Sequence, residues 1–209
     1  MTNFLIVLYA LSLVYFTISE RFRTYAWLVG FQGLLLFAIS FFELNSIDTL
    51  NLIFIFAETI VFKTIVVPWL LYRIISQTND NCIHKYALPG YYTVILAAVL
   101  LLMSYLVGYV LKNPVIDRIY FTVGLFAMFM GILFIITHKK IFSHLIGFLI
   151  VENAVFLFSI AIGSEMPMLI NTGILLDIFI SILILGSFMS KIGSQMQNLE
   201  TGNLTMLKD

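Results

Sequence analysis

Long apolar stretches alternate with short polar breaks along this chain, and the stretches define its architecture. A helix needs about 20 apolar residues to cross the hydrocarbon core of a bilayer. Seven runs meet that length, at roughly 3–19, 25–43, 49–75, 90–111, 115–137, 142–163 and 167–190. The pattern predicts an all-α, polytopic membrane bundle of about seven transmembrane helices. Asn113 reads as the cap of the fifth run, with Pro114 at its first helical position, and Pro167 opens the seventh run. Phe4 to Ile18 is apolar, but no Lys or Arg precedes it and no small-x-small site follows, so it reads as a retained first helix rather than a signal peptide. Residues 1–192 then form one transmembrane domain, and 193–209 a polar cytoplasmic tail.

The polar residues inside these runs are few, and their spacing carries the chemistry. Gly147 to Ile192 reads as two apolar helices joined by Ser164-Glu165-Met166-Pro167, with Glu152 near the middle of one and Asp177 near the middle of the other. Counted inward from the outer loops at 1.5 Å per residue, Glu58, Glu152, Asp177 and Gln32 all fall at roughly 17–20 Å, close to mid-bilayer. Lys63 falls one turn further toward the cytoplasm. A carboxylate at the centre of a membrane helix costs about 2.5–3.5 kcal/mol on insertion scales, so such a group is paired, hydrated or functional. The candidate proton relay is therefore Glu58, Lys63, Glu152 and Asp177. On an α-helix Glu58 and Lys63 are about 140° apart, which argues against their pairing with each other and for separate partners, including a neighbouring subunit.

Supporting positions follow from helical spacing. Gly173, Asp177 and Ser181 share one stripe, and Glu152, Ser159 and Gly163 another. Small and hydroxyl residues beside an acid let helices approach closely and hold water. Pro68 lacks the N–H that would bond the Thr64 carbonyl and is expected to kink the third helix one turn past Lys63. Gln32 and Asn153 serve either as interhelical glue or as part of the site. His138 and His144 flank Lys139-Lys140 at the cytoplasmic rim and read as surface residues. Tyr91, Tyr92 and Trp27 fit an interfacial aromatic belt.

Composition agrees with the pattern. Of 209 residues 61% are hydrophobic and 11% charged, with mean hydropathy +1.05, more apolar surface than a soluble domain of this size can cover. A net charge of zero argues against a nucleic-acid partner. One cysteine, Cys82, excludes a disulfide frame or an iron–sulfur site within this chain, and the three histidines form no metal constellation. No catalytic, cofactor-binding or metal residue is expected here. Arg21, Arg23, Arg73, Lys85, Lys139, Lys140, Lys191 and Lys208 lie on one side of the predicted membrane, against Lys112 and Arg118 on the other. That bias places the N-terminus outside and the C-terminus in the cytoplasm.

An internal repeat is also visible. Shifting by 117 residues lays Gly30-Phe31 on Gly147-Phe148 and Arg23 on Lys140, and shifting by 119 lays Glu58 on Asp177. Helices one to three (1–75) would match five to seven (115–192) in the same orientation, with 90–111 as a bridge.

The run Gly147-Phe148-Leu149-Ile150-Val151-Glu152-Asn153-Ala154-Val155-Phe156-Leu157, followed by the Asp177 helix, resembles the E subunit of hydrogenase-4 and formate-hydrogenlyase type complexes. The resemblance extends over essentially the whole chain, including Gly30-Phe31, Glu58 and Lys63. That family is similar, over about Phe142 to Ile192, to the K subunit of respiratory complex I and the C subunit of multisubunit cation/proton antiporters. Two departures from the K-subunit pattern stand out. Its first acid follows the glycine closely, where this chain has Leu149; here the acid is Glu152, about 4.5 Å along the helix. Asp177 stands where that family has glutamate.

The resemblance implies a prokaryotic inner-membrane subunit beside large antiporter-like subunits and a peripheral arm bearing nickel–iron and iron–sulfur centres, with no cofactor in this chain. It implies proton or sodium translocation along mid-membrane charged residues. A subunit of a cation/proton antiporter without a redox arm, or a structural scaffold whose acids stay neutral, are the other readings.

Overall fold

A computed structural model of the chain describes residues 2–19, 21–43, 53, 56–78, 90–111, 116–138, 141–162 and 186. The elements are α1 (Thr2–Ile18), α2 (Phe22–Glu43), a π-helix (Ala57–Val66) that runs directly into α3 (Val67–Thr78), α4 (Gly90–Val110), α5 (Arg118–Thr137) and α6 (Ile141–Ile162). Among the described residues there is no strand. Among the described residues four helices are long and apolar enough to cross a membrane: Phe22–Phe42, Tyr91–Val110, Arg118–Thr137 and Phe142–Ile162. The α1 helix, at 17 residues, sits at the short end of the spanning range. The predicted seventh run, 167–190, lies outside the described residues except for residue 186, and the tail, 193–209, lies outside them entirely.

Two expectations about helix ends and helix type are corrected. The α5 helix begins at Arg118, and its cap is Asp117 rather than Asn113: the Asp117 carboxylate accepts from the amides of Ile119 at 2.9 Å and Tyr120 at 3.4 Å. A carboxylate satisfies the free N–H groups of the first turn and sits at the positive end of the helix dipole, two effects a proline at the first position does not supply. The third run is not one kinked α-helix. Its first part bonds i to i+5, and the pattern reverts to α at Val67.

Among the described residues α5 and α6 form the most extensive helix pair. Its cause is a pair of facing glycines. A Cβ placed on Gly147 would lie 2.6 Å from Ile135 Cγ1 and 2.8 Å from the Gly131 carbonyl oxygen, and one on Gly131 would lie 2.7 Å from the Gly147 carbonyl oxygen. Where lipid is as apolar as leucine, close backbone approach is what holds helices together. The far end of the hairpin is tied by the Asp117 amide donating to the Ala161 carbonyl at 2.8 Å. The α2 helix lies against α1, α6, the π-helix and α3, while α4 packs on α5 and α1 and leaves most of its surface open. Gly30, which the repeat aligns with Gly147, receives Pro68 of α3 instead of a residue from α1. The two glycines thus face non-equivalent neighbours.

An aromatic cluster closes the bundle where α1 ends, α2 begins and α5 turns into α6. Phe16 stacks on Tyr25 at 5.6 Å, Tyr25 meets Phe134 edge-on at 5.1 Å, and Phe22 meets Phe142 at 4.6 Å. Offset and edge-to-face arrangements of this kind add about 0.5–1.5 kcal/mol per pair beyond area burial. His138 belongs to this cluster and is only 6% exposed, contrary to its expected place on the surface. Its ring lies 4.0 Å from that of Phe134, Nδ1 is 3.0 Å from the Phe134 carbonyl oxygen and 3.0 Å from Thr137 Oγ1, and its own carbonyl oxygen is 2.8 Å from His144 Nε2. Burial pushes the His138 pKa below the ordinary histidine value; the Phe134 carbonyl opposes the shift and His144 reinforces it.

Two tests follow from this packing. Gly147→Ala adds one Cβ against backbone and should lower stability by about 1–3 kcal/mol, read as a fall in apparent Tm in detergent. Ile136→Ala, at a position 69% exposed on the same hairpin, should change little. For His138 the depressed folded-state pKa means that the unfolded chain binds the proton first. Stability is then full above the unfolded value near 6.5 and is lost as pH falls toward the folded value. Apparent Tm should fall on acidification from about pH 7 to about pH 5, and His138→Gln should flatten that dependence.

Candidate functional site

The site begins with two small residues on α2. A Cβ on Gly33 would lie 2.8 Å from Lys63 Cβ and 2.9 Å from Thr64 Oγ1, and one on Gly30 would lie 2.8 Å from Pro68 Cγ. Their absence lets the π-helix and the start of α3 press directly against the α2 backbone, which sets the buried position of Lys63.

The wide π turn has a local cause as well. Thr64 Oγ1 donates to the Thr59 carbonyl, five residues back, at 2.8 Å, and the Val67 amide reaches back to the Phe62 carbonyl. The next residue is Pro68, which has no N–H to commit to either register, so the change from π to α falls where no donor is lost. The helix changes type at the Val67–Pro68 step, one turn past Lys63, and Pro68 fills the notch at Gly30.

In an i to i+5 helix a residue lies over the one five behind it, so the backbone positions of Glu58 and Lys63 fall on one side rather than 140° apart. The Glu58 side chain lies outside the described ones, as do Asp177 and Ser181.

From that backbone the Lys63 side chain crosses to α6. Its Nζ lies 2.7 Å from Glu152 Oε1, with side-chain exposures of 5% and 7%. Nζ also sits 4.5 Å from the Phe156 ring centroid. Glu152 and Phe156 are four apart on α6 and share a face, so one helix offers the ammonium both a carboxylate and a π cloud. The ion pair lies within this chain and gives Lys63 a partner on α6. The four-carbon stem of Lys63 brings its charge to the carboxylate of Glu152.

Beside the pair runs a polar layer across three helices. Asn153 Nδ2 donates to Gln32 Oε1 at 3.3 Å, Gln32 Nε2 donates to Ser12 Oγ at 3.0 Å, and Ser12 Oγ donates to the Tyr9 carbonyl at 2.6 Å. Gln32 is 0% exposed and links α1, α2 and α6. The sequence reading missed Ser12, Tyr9, Phe156, Gly33 and Thr64. The depth count, applied to α1 as it was to the other helices, would have singled out Ser12 as a mid-helix polar residue. Thr64 and Phe156 carried no such signal, since their roles depend on which helix lies opposite. Ser159 lies on α6, and among the described residues no hydrogen bond joins it to the pair. No three His, Cys, Asp or Glu side chains converge among the described residues.

Moving a carboxylate and an ammonium out of water costs several kcal/mol per ion, offset when the two meet with good geometry. What the arrangement can do is hold opposite charges in a dry interior and change that balance when either group gains or loses a proton.

Lys63→Met leaves the Glu152 carboxylate buried alone and should lower stability by about 3–5 kcal/mol. Adding Glu152→Leu to Lys63→Met should recover most of the loss. A double-mutant cycle on apparent unfolding in detergent measures the difference.

Comparison of the chain with protein-family models, with curated proteins and with solved structures finds no match.

Proposed function

We propose that this chain is a membrane-arm subunit of a hydrogenase or complex I-like oxidoreductase and contributes to proton or sodium translocation. The observation that carries the reading is the buried Lys63–Glu152 ion pair, whose carboxylate sits midway along a helix long and apolar enough to span a bilayer. Glu152 is the twelfth residue of the 22-residue α6, about 17 Å from its start. A charge pair kept at that depth is costly as scaffold and useful as a switch. The resemblance of Gly147 to Leu157 to the E-subunit family supplies the setting: antiporter-like neighbours and a peripheral redox arm.

In this reading Glu58, Glu152 and Asp177 are protonatable relays and Lys63 is the charge that tunes them. Proton uptake by Glu152 frees the ammonium from its counter-charge, and its approach to a neighbouring acid favours the ionised form there. Pairing and release then alternate along the line of acids. The seven-helix count, the parallel repeat and the cytoplasmic C-terminus complete the proposal. A scaffold role is the second reading, favoured by the hydrogen bonds that tie α1, α2 and α6 through Gln32.

The test separates the two. In the assembled complex, Glu152→Gln and Asp177→Asn should each abolish coupled ion movement in inside-out vesicles while subunit composition is retained. Full pumping in both variants rejects the relay; loss of assembly in place of pumping supports the scaffold.

A further inference from the structure

Two arginines and two tryptophans stand at one end of the α2–α3 pair, where α2 begins and α3 ends, and neither the ion pair nor the polar layer uses them. The register of this pair follows from its contacts. Gly30 receives Pro68, Gly33 receives Lys63, and the Tyr72 hydroxyl donates to the Arg23 carbonyl at 3.4 Å. The helices are therefore antiparallel, with Trp27 level with Trp69 and Arg23 level with Tyr72 and Arg73. Trp27 is turned about 60° from Gly30 on α2, and Trp69 about 100° from Pro68 on α3. Rotations of the same sense about opposed axes lead to the same outer face. Both tryptophans are 58% exposed there.

Arg23 is the second residue of α2, at the edge of the apolar span Phe22–Phe42, and Trp27 lies one turn, about 6 Å, further in. The α3 helix repeats the arrangement in reverse, with Arg73 toward its end and Trp69 one turn deeper. Guanidinium groups thus stand at headgroup depth and indoles at the boundary with the acyl chains. Arg73 Cζ lies 5.6 Å from the Trp69 ring centroid. Stacking on an indole leaves the N–H groups along the guanidinium edge free to donate in their own plane, the geometry that fits two phosphate oxygens. Trp27 lies flat on Phe31, with centroids 5.3 Å apart and planes 6° from parallel, so its ring is held as an apolar wall. Among the described residues neither Arg23 nor Arg73 forms an ion pair. We propose that this face binds one anionic phospholipid, its phosphate shared by Arg23 and Arg73 and an acyl chain lying against Trp27 and Trp69. Basic pockets between membrane helices recognise anionic headgroups by the same chemistry. The site requires the chain to be in a bilayer and depends on no step of ion translocation.

The test is native mass spectrometry of the full chain released from nanodiscs that hold equal amounts of phosphatidylglycerol and phosphatidylcholine. The wild type should retain one phosphatidylglycerol in preference to phosphatidylcholine. Arg23→Gln with Arg73→Gln should weaken that retention about 30-fold, since each arginine near the surface contributes about one charge contact. Arg73→Lys, which keeps the charge and loses the planar fork, should fall between the two. Arg118→Gln removes a charge at the start of α5 and should change nothing. Equal retention of the two lipids by the wild type overturns the proposal, as does a double variant that loses no more than Arg118→Gln. Displacement of the lipid by millimolar inorganic phosphate also overturns it, since the site would then hold a bare anion and the tryptophans would have no part in it.

Discussion

A lysine ammonium and a glutamate carboxylate shut away from water persist only if each is the other's answer. In this bundle that demand links helices distant in sequence. Lys63 comes from a π-helix packed on α2, Glu152 from the second arm of the α5–α6 hairpin, and neither charge is tolerable alone. Hydrogen bonding at Gln32 ties α2 to α1 and to the α6 arm that carries Glu152. Packing of the surrounding apolar residues is then constrained to whatever brings the pair to 2.7 Å.

Close approach of backbones makes this geometry possible. Glycines do the same work at two places, Gly30 and Gly33 under the π-helix and Pro68, and Gly131 against Gly147 in the hairpin. The first pair lets Lys63 start deep enough for its stem to reach α6. The second presses α5 and α6 together, which holds the α6 face bearing Glu152 and Phe156 steady. Around these contacts the outward surface is almost uniformly apolar, with Leu102, Tyr105, Tyr109 and Val110 of α4 more than half exposed. Such a surface suits lipid or neighbouring apolar helices. At the end of the bundle the rings of Phe16, Tyr25, Phe134 and His138 pack the helix termini together, while the polar layer lies nearer the middle.

The π-helix joins local chemistry to the site. A Thr64 hydroxyl bonding five residues back, and a proline at the boundary, make the wider register cheap over a short segment. Wide turns of this kind recur at functional positions because they re-aim side chains without breaking the helix. Here the result is a lysine directed across the bundle.

The pattern of apolar runs determined the helical class and most element positions. The α1, α4 and α6 boundaries agree with it to within a residue, because helix length in an apolar chain follows from where polar residues interrupt it. The same pattern marked Lys63, Glu152, Gln32 and Asn153, since a polar side chain deep in such a run is conspicuous whatever surrounds it. Tertiary structure alone decided that Lys63 meets Glu152, that Gln32 bridges Ser12 and Asn153, that Asp117 caps α5 and that His138 is buried. Each of these depends on which helix lies opposite and on how closely glycines let it approach. Sequence periodicity reports the depth and face of a residue along its own helix axis; it carries no information about the distance to the next one.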